Sequence, residues 1–258
     1  FMPEISVNGI VTYFQQNKKS KSKYPFVIFI HGAAQSSVCW EFQYNLSDTI
    51  NHYNFIFIDL PGPGKSEGVG FSTIKDYSDF LFTFINKMNI EEYVLVGHSM
   101  GGRISQVNLI DHPQHAIGSV LVGSGSRIRV TRHTRELAKK SIIDFADMAS
   151  ENSFSDMASA SLKTEFKNHL LNTRQETIVN DLKACNEFDT TDNLSEINVQ
   201  TYIIAGEKDK LAPIHNSLHL RNTIANSKLE IIKGAGHFMM LEKPVEFNRA
   251  ISGFLNYL

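Results

Sequence analysis

Six short apolar runs, spaced by helical patterns, constrain this chain more than any other feature. They are Phe26-Val27-Ile28-Phe29-Ile30 and residues 55–58, 93–96, 119–122, 201–205 and 229–232. Each is rich in β-branched and aromatic residues and too short for a helix, which is the pattern of a strand covered on both faces. Between them, apolar residues recur at helical spacing over 40–50, 74–88, 100–111, 216–224 and 245–258. Strand and helix in alternation predict an α/β fold, a mostly parallel sheet flanked by helices. Residues 4–15 add a hairpin turned at Asn8-Gly9, bringing the expected sheet to eight strands.

One segment departs from the alternation. No strand pattern occurs over 127–194, where helices are expected at 132–152, 161–172 and 175–187. An unstructured loop of this length is improbable inside a domain, so the segment reads as an inserted helical cap. The expected organisation is therefore a core made of 1–126 and 195–258, with a cap subdomain at 127–194. A chain of 258 residues suffices for this as one large unit.

The chemistry is concentrated at strand ends. Gly97-His98-Ser99-Met100-Gly101 directly follows the run 93–96 and opens a helical pattern. This G-x-S-x-G spacing is that of a nucleophile elbow, in which a sharp turn lifts a serine hydroxyl above the sheet edge. Glycines flank the serine because bulkier neighbours would block the turn, and the new helix aims its free N–H groups at the same place. A serine nucleophile needs a base, and the base needs an orienting group. Asp209 follows the strand pattern 201–205, and His237 follows 229–232. Ligands of open α/β sheets bind beyond the carboxyl ends of strands, so Ser99, Asp209 and His237 are expected on one edge.

With these residues in the order Ser, Asp, His, the chain resembles the α/β-hydrolase fold superfamily, in its small esterase-like branch with a helical cap. Four features carry the resemblance: His31-Gly32-Ala33-Ala34, the stretch Asp59-Leu60-Pro61-Gly62-Pro63-Gly64-Lys65-Ser66, the elbow, and the late Asp209 and His237. The resemblance implies Ser99 as nucleophile, His237 as general base and acid, and Asp209 as the group that orients His237. It implies an oxyanion hole from the backbone N–H groups of Met100 and Ala33, with Ala34 as the alternative to Ala33. It implies no metal and no organic cofactor. The expected reaction is cleavage of a small or medium acyl ester through an acyl-enzyme, with a small-molecule substrate as partner. Alternatives on the same three residues are a carbon–carbon bond hydrolase, a thioesterase or a perhydrolase. A ligand sensor that keeps the residues is a further one. A serine at the elbow disfavours dehalogenase and epoxide hydrolase chemistry, which use a carboxylate there.

Other residues invite readings of their own. Gly62-Pro63-Gly64-Lys65-Ser66 is not a phosphate loop, because Asp59 stands where that pattern needs glycine. Asp59 is assigned to structure, His31 to support of the oxyanion turn, and His98 to packing. His215 and His219 lie one helical turn apart, but no third ligand accompanies them. The run Arg127, Arg129, Arg132, His133, Arg135, Lys139, Lys140 opens the cap. It reads as a solvated face balanced by Asp144, Asp147 and Glu151, or else as an attractor of an anionic substrate. Lys18-Lys19-Ser20-Lys21-Ser22-Lys23 reads as a basic loop between strands.

A net charge of -2 gives no electrostatic case for nucleic acid or a membrane surface. No apolar stretch is long enough to span a bilayer. No basic-then-apolar leader pattern opens the sequence. The only cysteines, Cys39 and Cys185, are far apart and in no metal-ligand spacing, so both are expected as reduced thiols in a cytoplasmic setting.

Overall fold

The computed structural model describes residues 3–16 and 23–258. The chain opens with strands β1 (Glu4–Val7) and β2 (Ile10–Gln16), then β3 (Phe26–Ile30). A 3-10 helix (Ser37–Gln43) and a short helix α1 (Leu46–Thr49) lead to β4 (Asn54–Ile58), α2 (Ile74–Lys87), β5 (Tyr93–His98), α3 (Met100–Asp111) and β6 (Ala116–Val122). Four helices follow without a strand: α4 (Arg132–Lys140), α5 (Ile142–Asn152), α6 (Ala160–Asn172) and α7 (Gln175–Glu187). A second 3-10 turn (Leu194–Glu196) precedes β7 (Gln200–Gly206), α8 (Ile214–Thr223), β8 (Ser227–Ile232), α9 (Met239–Glu242) and α10 (Pro244–Leu255).

The strands form one eight-stranded sheet in the order β1-β2-β4-β3-β5-β6-β7-β8. The β1–β2 and β2–β4 pairs are antiparallel, and all others are parallel. Asn8 and Gly9 make the first hairpin turn with φ of 51° and 84°, the positive values that a two-residue turn of right-handed twist requires.

Strand periodicity splits the core in two. Val27, Phe29, Phe55, Phe57, Val94 and Val96 face one side, where Trp40 and α10 cover them. Ile28, Ile30, Ile56, Ile58 and Leu95 face the other, against α2, α3 and α8. Both faces are dry, which is why these strands read as continuous apolar runs rather than alternating ones. Thr73 starts α2 by accepting the Asp76 N–H at 3.1 Å, and Ile74, Tyr77, Phe80, Leu81 and Phe84 turn its apolar stripe inward.

Two expected helices differ in the structure. The pattern at 40–50 becomes a 3-10 helix and a one-turn helix, separated by Tyr44 and Asn45. The pattern at 132–152 is broken at Ser141, whose φ of -150° and ψ of 105° are extended. Ser141 ends α4 and starts α5, its hydroxyl accepting the Asp144 N–H at 3.2 Å. Apolar periodicity continues across such a joint, whereas the cap residue that interrupts it is a single serine. Lys18 to Ser22 of the basic loop lie outside the described residues.

Cys39 and Cys185 are free and buried. No helix among the described residues is long and apolar enough to cross a membrane.

Candidate active site

The turn from β5 into α3 holds Ser99 at φ 52° and ψ -110°, a region that L-residues seldom occupy. The conformation is held from several sides. The Ser99 N–H donates to the Val122 carbonyl at 2.8 Å, and the Ser124 hydroxyl donates to the Ser99 carbonyl at 2.9 Å. A Cβ on Gly97 would overlap the Gly101 carbonyl, and one on Gly101 would overlap the carbonyls of Ile30 and His31. Only glycine allows the turn this close to the neighbouring strand.

Asp209 and His237 arrive from the ends of β7 and β8. His237 Nδ1 lies 2.8 Å from Asp209 Oδ2, with both side chains buried. The other Asp209 oxygen accepts the N–H groups of Leu211 and Ala212, each at 2.8 Å. Burial alone would raise the Asp209 pKa, but the His237 charge and these hydrogen bonds outweigh it and hold the carboxyl below its ordinary value. An ionised Asp209 fixes the proton on His237 Nδ1 and leaves Nε2 free to accept one.

The backbone of His237 is equally constrained. Its N–H donates to the Ser153 carbonyl at 3.0 Å, and His98 Nε2 meets its carbonyl at 3.0 Å. The His98 ring packs 4.6 Å from that of His237. Burial drives the His98 pKa well below its usual value, so this ring is neutral and donates through Nε2. His98 thus packs, as expected, and also braces the neighbouring imidazole, which was not foreseen.

Ser99, His237, Gly32 and Ala33 line one cavity of about 280 Å³. Phe145, Met148 and Phe166 wall it from the helices between β6 and β7. Phe238 stacks on Phe154 at 5.3 Å and meets Phe166 at 4.9 Å, joining the His237 loop to those helices. Among the described residues no hydrogen bond joins the Ser99 hydroxyl to His237.

The loop after β3 is pinned on three sides. His31 accepts the Leu60 N–H on Nε2 at 2.9 Å and donates from Nδ1 to the Gly32 carbonyl at 2.8 Å. Burial pushes its pKa down to about 4, which keeps the ring neutral and this pairing intact. Asp59 accepts from Ser37 N at 2.7 Å and Lys65 N at 2.8 Å, a structural role as expected. The third pin is Asp181 of α7, which sequence reasoning missed. Its Oδ2 accepts the Ala34 N–H at 2.7 Å, and its Oδ1 accepts the Tyr77 hydroxyl. Ala34 has a φ of 56°, so the carboxylate secures a strained residue. The Ala34 N–H is engaged by Asp181, whereas among the described residues no hydrogen bond uses the amides of Ala33 and Met100, nor those of Gly32 and Gly101.

The signal for Asp181 lay in its spacing. Ile178, Leu182 and Cys185 form the apolar stripe of α7, and Asp181 sits within that stripe. The basic run pairs differently from expectation. Arg127 and Arg129 face Asp189 at 3.2 and 3.6 Å, while Asp147 and Glu151 pair with Lys167 and Lys163 of α6. His215 and His219 are exposed, and no group of three metal-ligating side chains forms among the described residues.

A mostly parallel sheet with a serine elbow at the end of its fifth strand defines a class, and comparison bears it out. Residues 25–244 match the family model of the alpha/beta hydrolase fold, and the chain belongs to that family. A 2-hydroxy-6-oxononadienedioate/2-hydroxy-6-oxononatrienedioate hydrolase of Escherichia coli O139:H28 is 26% identical over 250 residues, spanning 89% of this chain and 86% of that protein. An esterase from Exiguobacterium antarcticum superposes with a TM-score of 0.89 at 21% identity, covering 99% of this chain and all of that one (100%). The enol-lactonase from Burkholderia xenovorans LB400 superposes with a TM-score of 0.90 at 19% identity, covering 98% and 100%.

Proposed function

We propose that this chain is a serine hydrolase that cleaves small or medium acyl esters through an acyl-enzyme. The observation that carries the reading is the buried Asp209–His237 pair at 2.8 Å, opening into the same cavity as the strained Ser99. In this reading Ser99 Oγ attacks the ester carbonyl as His237 Nε2 takes its proton. The N–H groups of Ala33 and Met100 receive the oxyanion, Ala34 being engaged by Asp181. His237 then protonates the leaving alcohol, activates water and frees the acid. No metal or organic cofactor enters the scheme. The segment 127–194 acts as a cap whose aromatic side chains bound the acyl site. Two free, buried cysteines are in keeping with a reducing, cytoplasmic setting.

The test is Ser99→Ala with a fluorophosphonate probe and a panel of p-nitrophenyl esters of rising chain length. Labelling of Ser99 and a loss of turnover by about a thousandfold or more are expected. Undiminished turnover in the variant would sink the reading.

A second reading, hydrolysis of a carbon–carbon bond, is favoured by the curated Escherichia coli relative, whose name describes such an oxo-dienedioate substrate. The same serine and base would serve it. A kcat/KM for a 2-hydroxy-6-oxodienoate above that for every ester in the panel would replace the first reading with the second.

A further inference from the structure

Arg103 is a buried charge with no counter-ion among the described residues. It stands one turn after Ser99 on α3, its N–H donating to the Ser99 carbonyl at 3.3 Å, and it is 5% exposed. Its side chain lines the cavity shared by Ser99 and His237. Nη1 donates to the Cys185 carbonyl at 2.7 Å, and Phe188 lies 5.7 Å from the guanidinium carbon. Nε is buried with no partner, and among the described residues no carboxylate pairs with Arg103.

Taking a guanidinium out of water is costly unless an anion meets it. A last-turn carbonyl returns only part of this, as the fractional negative end of a helix, and an aromatic face adds little. Bracing the end of α7 does not by itself call for a buried charge, since the more exposed Arg129 donates to the Asn186 carbonyl in the same turn. The rest of the cavity points the same way. Among the described residues no Asp or Glu lines it, and its other Arg and Lys side chains are engaged elsewhere, Arg129 with Asp189 and Lys210 with Asp156. An inner wall with one uncompensated positive charge selects a ligand that brings the negative one.

We propose that the substrate of this site carries a carboxylate, which Arg103 binds while Ser99 attacks the ester carbonyl. The inference rests on the ester-hydrolase reading and specifies its substrate class: short esters bearing a free acid group. Recognition is by charge-assisted hydrogen bonds from guanidinium N–H groups that the Cys185 carbonyl does not take.

The test uses matched pairs that differ only in that group. Monomethyl glutarate is set against dimethyl glutarate, and acetoxyacetate against its methyl ester, so the acid lies on the acyl side in one pair and the alcohol side in the other. The intact protein should favour the acid member of at least one pair by about tenfold or more in kcat/KM. Arg103→Met should erase that preference, and Arg103→Lys should keep part of it. Because Arg103→Met also removes the hydrogen bond to the Cys185 carbonyl, glutarate alone is also tested on the intact chain. It should raise the melting temperature and inhibit the neutral esters competitively.

Equal or reversed preference in both pairs, or a preference that survives in Arg103→Met, overturns the inference while leaving the ester reading in place. If no ester is turned over but glutarate stabilises Ser99→Ala and not its Arg103→Met counterpart, the anion site stands and the ester reading falls.

Discussion

Asp181 holds two groups with one carboxylate, the Ala34 N–H and the Tyr77 hydroxyl. Burial pushes its pKa up to about 7 from an ordinary 3.8, and the hydrogen bonds only partly offset this. The folded state therefore binds the proton more tightly than the unfolded chain. The resulting stability is full below the ordinary carboxylate range and is lost as pH rises toward about 7. Asp181→Asn removes that titration. Its melting temperature should vary less between mildly acidic and neutral pH than that of the parent, and parallel curves would show that Asp181 does not titrate in this range. Asp181→Ala leaves two buried donors unmatched and should cost about 1–3 kcal/mol, with a fall in kcat larger than any change in KM. The residues at strand ends were legible because motif and position agree: Ser99 in its glycine turn, Asp209 and His237 after their strands. Asp181 and Arg103 were not: the stripe position of Asp181 marks it as buried but names no partner, and only the fold brings one. Asp181 and Ala34 are 147 positions apart.

At the scale of elements, the site depends on how closely α3 approaches β3. A Cβ on Gly101 would overlap the carbonyls of Ile30 and His31, which lie at the end of β3 and the start of the loop that follows it. Gly101→Ala should cost about 1–3 kcal/mol by overpacking. The displacement passes into the loop bearing Ala33, so ester turnover should fall further than stability does, as thermal melting and kcat together would reveal. Parent-like turnover in a fully folded variant would mean that the loop tolerates the shift. The strands themselves were readable because both faces are buried and the runs are unbroken. The helices at 40–50 and 132–152 were not, since their breaks are local backbone events. At Ser141 a side-chain hydroxyl competes with the helix for the Asp144 N–H, leaving the apolar pattern undisturbed.

Across the whole molecule, α7 is fastened at two levels, by Asp181 in its middle to the loop after β3 and by Arg103 of α3 at its end. Docking of these helices and order in the loop after β3 are therefore one equilibrium. The Ala34 amide should exchange with solvent about as slowly as the inner amides of α7, and in Asp181→Asn it should exchange faster than they do. Amide exchange resolved by residue reads both. Fast exchange at Ala34 in the parent would show that the loop opens alone. That helices without a strand lie between β6 and β7 was plain in the sequence, but how they dock rests on pairs that no local pattern reports. Ser99 has a consequence at this scale too. Its positive φ holds roughly 1–3 kcal/mol of backbone strain that the surrounding sheet and helix must absorb. Glycine there would relax the chain and silence the proposed chemistry at once. On the proposed reading, stability and reaction therefore pull this one residue in opposite directions.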